Sequence, residues 1–301
     1  MYNIFSKKIR LMKQINGIYA ATLSILNENL SLNVKKTIKH AENLINNGCH
    51  GVVLLGSTGQ SQLISLPEKI KLINEVSKTS LRENTIIGTG LNSLGDTINL
   101  MQIAQSLKFK HFLIMPPAYY TYSDLEVINF FSKIIEKNFD SKIILYNFEK
   151  LSGYKFSLDC VKTLVKNFPN QIIGVKDSSY NLYEKLKIKN FSILPGSDEK
   201  LLKGLQSGCS GIITATCNVT SILAREVYDD FVRGKLSSKN EQLCRVRKVF
   251  ENYDLISSLH TYMARKNKIF KNLLPPLSLL SENNKKKMFE DLVKLDFNIT
   301  I

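Results

Sequence analysis

Eight short β-like runs recur along this chain with stretches of helical spacing between them, and that alternation restricts the fold more than any other feature. The runs lie at 17–22, 51–55, 85–89, 111–115, 142–146, 172–176, 191–195 and 211–214. They recur at about thirty residues, the length of one strand-plus-helix unit, which implies parallel strands joined by crossovers. In the intervening segments Val34, Ile38, Ala41 and Ile45 fall on one helical face, as do Leu94, Ile98, Met101 and Leu107. Two helix starts are written out as S-x-x-E, at Ser65-Leu66-Pro67-Glu68 and Ser123-Asp124-Leu125-Glu126. In each the serine caps the helix and the glutamate reaches back to it, and Pro67 suits a first turn. Eight is the number that closes a (β/α)8 TIM barrel, with an open doubly wound sheet as the alternative.

Beyond residue 214 no further strand is evident, and 221–233, 238–252, 257–271 and 284–295 read as helices. The first completes the barrel and the others form a C-terminal helical extension. The expected organisation is therefore a barrel over 1–234 and an extension over 235–301 packed on it, not an independent domain. The string Gly88-Thr89-Gly90 with Gly95 beyond has the wrong spacing for a dinucleotide-binding loop.

Composition excludes several classes of function. No apolar stretch approaches the roughly 20 residues needed to span a bilayer. The start, MYNIFSKKIRLMKQ, has basic residues without a sustained apolar region after them, so it reads as a poor secretory signal and the protein as cytoplasmic. The five cysteines and four histidines have no metal-ligand spacing, which points to reduced, mostly buried thiols and no metal. A formal charge of +15 invites nucleic acid as a partner, but the lysines are spread along the chain among acids, and only Lys285-Lys286-Lys287 is a run. That is a solvated basic surface, able to attract anionic substrates.

The informative polar residues gather after the expected strands, where a barrel builds its active site. Gly56-Ser57-Thr58-Gly59-Gln60-Ser61 follows the second run and Pro116-Pro117-Ala118-Tyr119-Tyr120 the fourth. Tyr146 ends the fifth, Lys176 ends the sixth, and Gly196-Ser197-Asp198-Glu199 follows the seventh. A buried lysine loses its proton more readily than an exposed one, and a neutral amine attacks a ketone carbon to give a Schiff base. Strand alternation places Ile172, Gly174 and Lys176 on one face and Ile173 and Val175 on the other, with Gly174 leaving space beneath the amine. Tyr146 shares its face with Ile144. The turn at 56–61 offers hydroxyls and backbone N–H groups that suit a carboxylate or phosphate.

These residues resemble the dihydrodipicolinate synthase and N-acetylneuraminate lyase family of class I, pyruvate-handling aldolases. The likeness runs over about 17–234 and includes GSTGQS, PPAYY, YN at 146–147, GVKDSS at 174–179 and GCSGIITATCNV at 208–219. It implies that Lys176 forms an imine with pyruvate or another 2-oxo acid and that Tyr146 relays protons. Ser57 and Tyr119 would complete the relay, Tyr119 reaching into a neighbouring subunit's site. Gly56, Ser57, Thr58 and Gly59 would hold the carboxylate, and Asp198, Glu199 and Thr214 would line the rest of the substrate site. No cofactor is implied, because the imine does the electronic work. A homo-oligomer, dimer or tetramer, is implied by the resemblance alone.

Three residues depart from the family pattern: Glu149 for a proline, Gln60 for a glutamate, and Leu151 for the arginine that grips a second carboxylate in true dihydrodipicolinate synthases. Ser57, Leu151-Ser152-Gly153, Tyr119-Tyr120 and Asp198-Glu199 look like N-acetylneuraminate lyase, whereas Ala215 and Lys176-Asp177-Ser178 do not. The expectation is a lyase or aldolase acting on a 2-keto-3-deoxy sugar acid or sialic-acid-like substrate. The alternatives are 4-hydroxy-tetrahydrodipicolinate synthase proper and a catalytically silent carboxylate-binding protein.

Overall fold

The structure is a computed structural model that describes residues 15–297. The basic start at 1–14, read above as a poor signal, lies outside the described residues. Eight strands form: β1 (Gly17–Ala21), β2 (Gly51–Leu54), β3 (Thr85–Gly88), β4 (His111–Ile114), β5 (Lys142–Asn147), β6 (Ile172–Asp177), β7 (Ser192–Pro195) and β8 (Gly211–Thr214). All neighbours pair in parallel, in the order β7-β6-β5-β4-β3-β2-β1-β8. The remaining seam is crossed by the Ser210 N–H, which donates to the Ile193 carbonyl at 2.9 Å. The sheet is thus a (β/α)8 barrel rather than an open doubly wound sheet.

The helices around it are α1 (Val34–Asn46), α2 (Leu66–Ser77), α3 (Leu94–Ser106), α4 (Asp124–Lys137), α5 (Leu158–Asn167), α6 (Leu201–Gln206) and α7 (Cys217–Val232). Both S-x-x-E sequences form capping boxes, at Ser65 with Glu68 and at Ser123 with Glu126. The strand residues that face outward, such as Val52, Ile87, Phe112 and Leu145, pack with Leu72, Leu100, Phe131 and Leu164 of the helices. The barrel interior is a separate plug of Ala21, Val53, Ile86, Leu113, Ile144, Tyr146, Ile173, Leu194 and Ile213, one or two from each strand, with Ile15 among them. A filled interior leaves room for ligands only at the mouth.

Two expectations fail locally. The link between β6 and β7 contains turns and no helix. There the Asp177 carboxylate collects the N–H groups of Tyr180, Leu182 and Tyr183, each at 2.9 Å, and folds the chain back at once. The last barrel helix starts at Cys217 rather than at 221; its cap residue, Thr216, makes no side-chain capping bond and donates its hydroxyl to Asp198 instead.

After the barrel come α8 (Asn240–Glu251), α9 (Leu255–Lys266) and α10 (Glu282–Val293). Val246, Phe250, Leu259, Tyr262, Met288 and Leu292 of these helices share one apolar cluster with Leu23, Ile25, Ala215 and Val219 of the barrel. Among the described residues no helix is long and apolar enough to cross a membrane. All five cysteines are unpaired, and Cys49, Cys160, Cys209 and Cys217 are buried.

Candidate active site

Strand pairing sets Tyr146 opposite Lys176 at the C-terminal ends of β5 and β6. Lys176 is 4% exposed, and its Nζ lies 4.1 Å from the centre of the Tyr146 ring. The Tyr146 hydroxyl lies 2.9 Å from Ser57 Oγ, with either oxygen able to donate. Amine, phenol and hydroxyl therefore form one contiguous set drawn from β6, β5 and the turn after β2.

The alternation expected of β6 is broken by a bulge. The pairing jumps from Ile143–Ile172 to Ile144–Gly174, so Ile173 is an extra residue and points into the barrel, while Ile172 and Val175 face the helices. Lys176 still lies beside Tyr146, with its Nζ over that ring. Gly174 does not leave space as expected: a Cβ there would stand 2.6 Å from the Ser192 carbonyl oxygen, so glycine permits close approach of β7.

Asp177 follows the lysine yet is not its counter-ion. Its carboxylate points to the outer side, accepting three backbone N–H groups and the Asn147 amide at 2.8 Å. Burial pushes its pKa up against these donors. Asn147 also donates to Asn181 and accepts from the Phe156 N–H, and so locks β5 to the loop after β6. Asn147 was legible only as the second letter of YN, and its role could not be read from the sequence.

The turn at 56–61 is wound as a 3₁₀ segment, Ser57–Gly59, with Thr58 and Gly59 buried. Gly59 sits where a Cβ would meet the Thr22 carbonyl at 2.9 Å, and its own carbonyl accepts from Ser24 Oγ at 2.6 Å. Gly59, Gln60 and Ser61 spend their N–H groups inside the turn. Those of Ser57 and Thr58 precede the first internal bond, as at any helix start, and are available to an anion.

Tyr119 is not brought to this set within the chain. It is 89% exposed at a φ of 93°, edge-on to Tyr120. Asp198 and Thr214 are drawn elsewhere. Asp198 is fully buried and accepts from the hydroxyls of Thr214, Thr216 and Thr220, with Arg247 Nη1 of α8 at 3.8 Å. Glu199 pairs with Lys248 at 3.6 Å. These acids hold α8 against the end of β8, a use that competes with the polyol contacts expected of them.

One departure from the family pattern, Glu149, has a structural use. The Glu149 N–H donates to Ser179 Oγ at 2.9 Å, a bond that proline cannot make, within the single helical turn Glu149–Ser152. Leu151 on that turn is exposed and offers no charge. Lys69, a residue with no signal in the sequence, is fully buried on α2 and donates to the Thr89 and Gly90 carbonyls, each at 2.9 Å. Burial lowers its pKa to about 8, with Asp96 opposing the shift. Among the described residues no group of three or more His, Cys, Asp or Glu side chains is placed to hold a metal ion.

The model of the dihydrodipicolinate synthetase family matches residues 14–295. A 4-hydroxy-tetrahydrodipicolinate synthase of Karelsulcia muelleri is 34% identical over 210 residues, 67% of this chain and 70% of its own length. An N-acetylneuraminate lyase of Actinobacillus pleuropneumoniae is 29% identical over 75% of this chain and 78% of its own. Among solved structures, YagE, a prophage protein of E. coli K12 in complex with pyruvate, superposes with a TM-score of 0.86 at 23% identity, covering 94% of this chain and 99% of that one.

Proposed function

The chain belongs to the dihydrodipicolinate synthetase family of aldolase-type lyases, and we propose that it makes or cleaves a carbon–carbon bond through an imine between Lys176 and pyruvate or another 2-oxo acid. The observation that carries this reading is the contiguous set of Lys176, Tyr146 and Ser57, with Nζ 4.1 Å from the phenol ring and the phenol 2.9 Å from the serine.

The Lys176 amine attacks the keto carbon, and the hydroxyl so formed takes a proton from solvent and leaves as water, giving a protonated imine. That cation draws electrons from the adjacent carbon, which then loses or gains a proton or a carbon substituent. Tyr146 is the group in reach to carry the proton, and Ser57 passes it on towards the mouth. The substrate carboxylate sits on the N–H groups of Ser57 and Thr58, with Gly56 and Gly59 keeping the turn small. Tyr119, pointing away from its own chain, completes the relay of a second copy in a homo-oligomer. No cofactor takes part in these steps.

Leu151 argues for a 2-keto-3-deoxy sugar acid or a sialic-acid-like substrate, since it cannot grip a second carboxylate as a bidentate arginine does. The experiment is release of pyruvate from a panel of such acids by wild type and Lys176→Arg. The proposal expects release by wild type alone, and equal release by both proteins contradicts it. The 34% identical relative named as a synthase favours a second reading, condensation of pyruvate with aspartate semialdehyde. Robust turnover of that pair would establish it and show that Leu151 does not exclude a second carboxylate.

A further inference from the structure

Gln60 takes no part in the chemistry above, yet its side chain fastens the Ser57 turn to the C-terminal extension. It is 2% exposed and holds a left-handed backbone, φ 56°, which a residue with a Cβ adopts only when its surroundings impose it. Its Oε1 accepts the N–H of Leu274 at 2.7 Å. Its Nε2 lies 3.4 Å from Nε2 of His260 on α9. The other ring nitrogen of His260, Nδ1, lies 2.8 Å from the Phe270 carbonyl, which can only accept, so Nδ1 carries the proton and Nε2 is a bare acceptor. The amide therefore meets a donor with its oxygen and an acceptor with its nitrogen. A glutamate, the residue usual in the family, offers only acceptors when ionised and would match this arrangement only if His260 were protonated. The titratable group facing His260 from α1 is His40, which packs edge-on against the same Phe270 ring and is bonded to Asn218.

We propose that Gln60, His260 and Leu274 form a positioning clamp through which the C-terminal extension sets the turn at 56–61, and with it the carboxylate-binding N–H groups, against Tyr146. The inference rests on the Schiff-base reading for its effect on turnover, while the clamp itself is a matter of structure. Burial lowers the pKa of His260 to about 4, so the wild-type clamp stays neutral and matched at physiological pH.

The test is Gln60→Glu, which keeps size and shape. In it the carboxylate draws a proton onto His260, so the KM for pyruvate relative to wild type should be near unity at about pH 6 and rise on the order of tenfold by about pH 8.5. Gln60→Met, which can neither donate nor accept, should raise KM by a similar factor without that pH dependence, its circular dichroism remaining native. A Glu/wild-type ratio that stays flat with pH, or a Met variant with unchanged KM, overturns the clamp. If wild type itself forms no adduct with pyruvate, the Schiff-base reading fails separately. Hydrogen exchange of the 57–61 amides then decides: their protection in Gln60→Glu relative to wild type must fall as His260 loses its proton, and constant relative protection refutes the inference.

Discussion

Replacing Tyr146 by phenylalanine removes one oxygen and nothing else, which makes it the sharpest probe of the proposed chemistry. The ring remains, so its contact with Lys176 at 4.1 Å and its packing near Phe148 at 6.0 Å are kept. The oxygen that goes is the one bonded to Ser57 at 2.9 Å. Losing a single neutral hydrogen bond costs about 1 kcal/mol of stability, so the variant should remain folded. If the phenol were only a structural tie, turnover would fall by no more than about tenfold, the factor that 1.4 kcal/mol represents. If it carries a proton at the imine, turnover should fall by about 10²–10⁴-fold, or roughly 3–5 kcal/mol in the barrier. Pyruvate release from the best sugar-acid substrate, measured beside borohydride trapping, separates the two cases. Trapping should persist, because amine and pocket are intact. A variant that keeps more than about a tenth of wild-type turnover would refute the proton-carrying role.

Other consequences can be checked independently. Gly174→Ala places a Cβ 2.6 Å from the Ser192 carbonyl on the neighbouring strand and should cost about 1–3 kcal/mol in urea denaturation; an unchanged midpoint would contradict the close approach of β6 and β7. A chain ended at residue 234 strips the cover from Leu23, Ile25, Ala215 and Val219, and should lose its near-ultraviolet circular dichroism, whereas an independent barrel would keep it. Burial lowers both His40 and His260 to about 4, so the unfolded chain takes up protons below about 6.5 that the folded chain refuses. Stability should therefore be level above about pH 6.5 and fall with decreasing pH towards about 4, by about 1.4 kcal/mol per pH unit for each histidine. Denaturation midpoints that do not move between about pH 6.5 and 4.5 would show the histidines to be solvated.

The barrel was legible because each strand of a parallel sheet is an apolar run, and crossovers space such runs evenly. Sequence alone placed Lys176 and Tyr146 on adjacent strand ends, and the observed register pairs them. What it missed depends on contacts distant in the chain. The β6 bulge adds one residue to a strict two-residue alternation, and Ile-Ile-Gly carries no mark of it. The resemblance assigned Asp198 to the substrate; what carried no mark in the sequence is that the hydroxyls of Thr214, Thr216 and Thr220 and the α8 residue Arg247 surround it. Gln60 read as a loss from the family pattern, whereas its partners His260 and Leu274 lie some 200 residues further on. Glu149 likewise read as a missing proline until the bond from its N–H to Ser179 gave it a use.

Reduction with borohydride in the presence of pyruvate, followed by peptide mapping, tests the central claim most directly. A single stable adduct on Lys176, absent without pyruvate, is the result expected. An unmodified Lys176, or an adduct spread over the exposed lysines, would contradict the account.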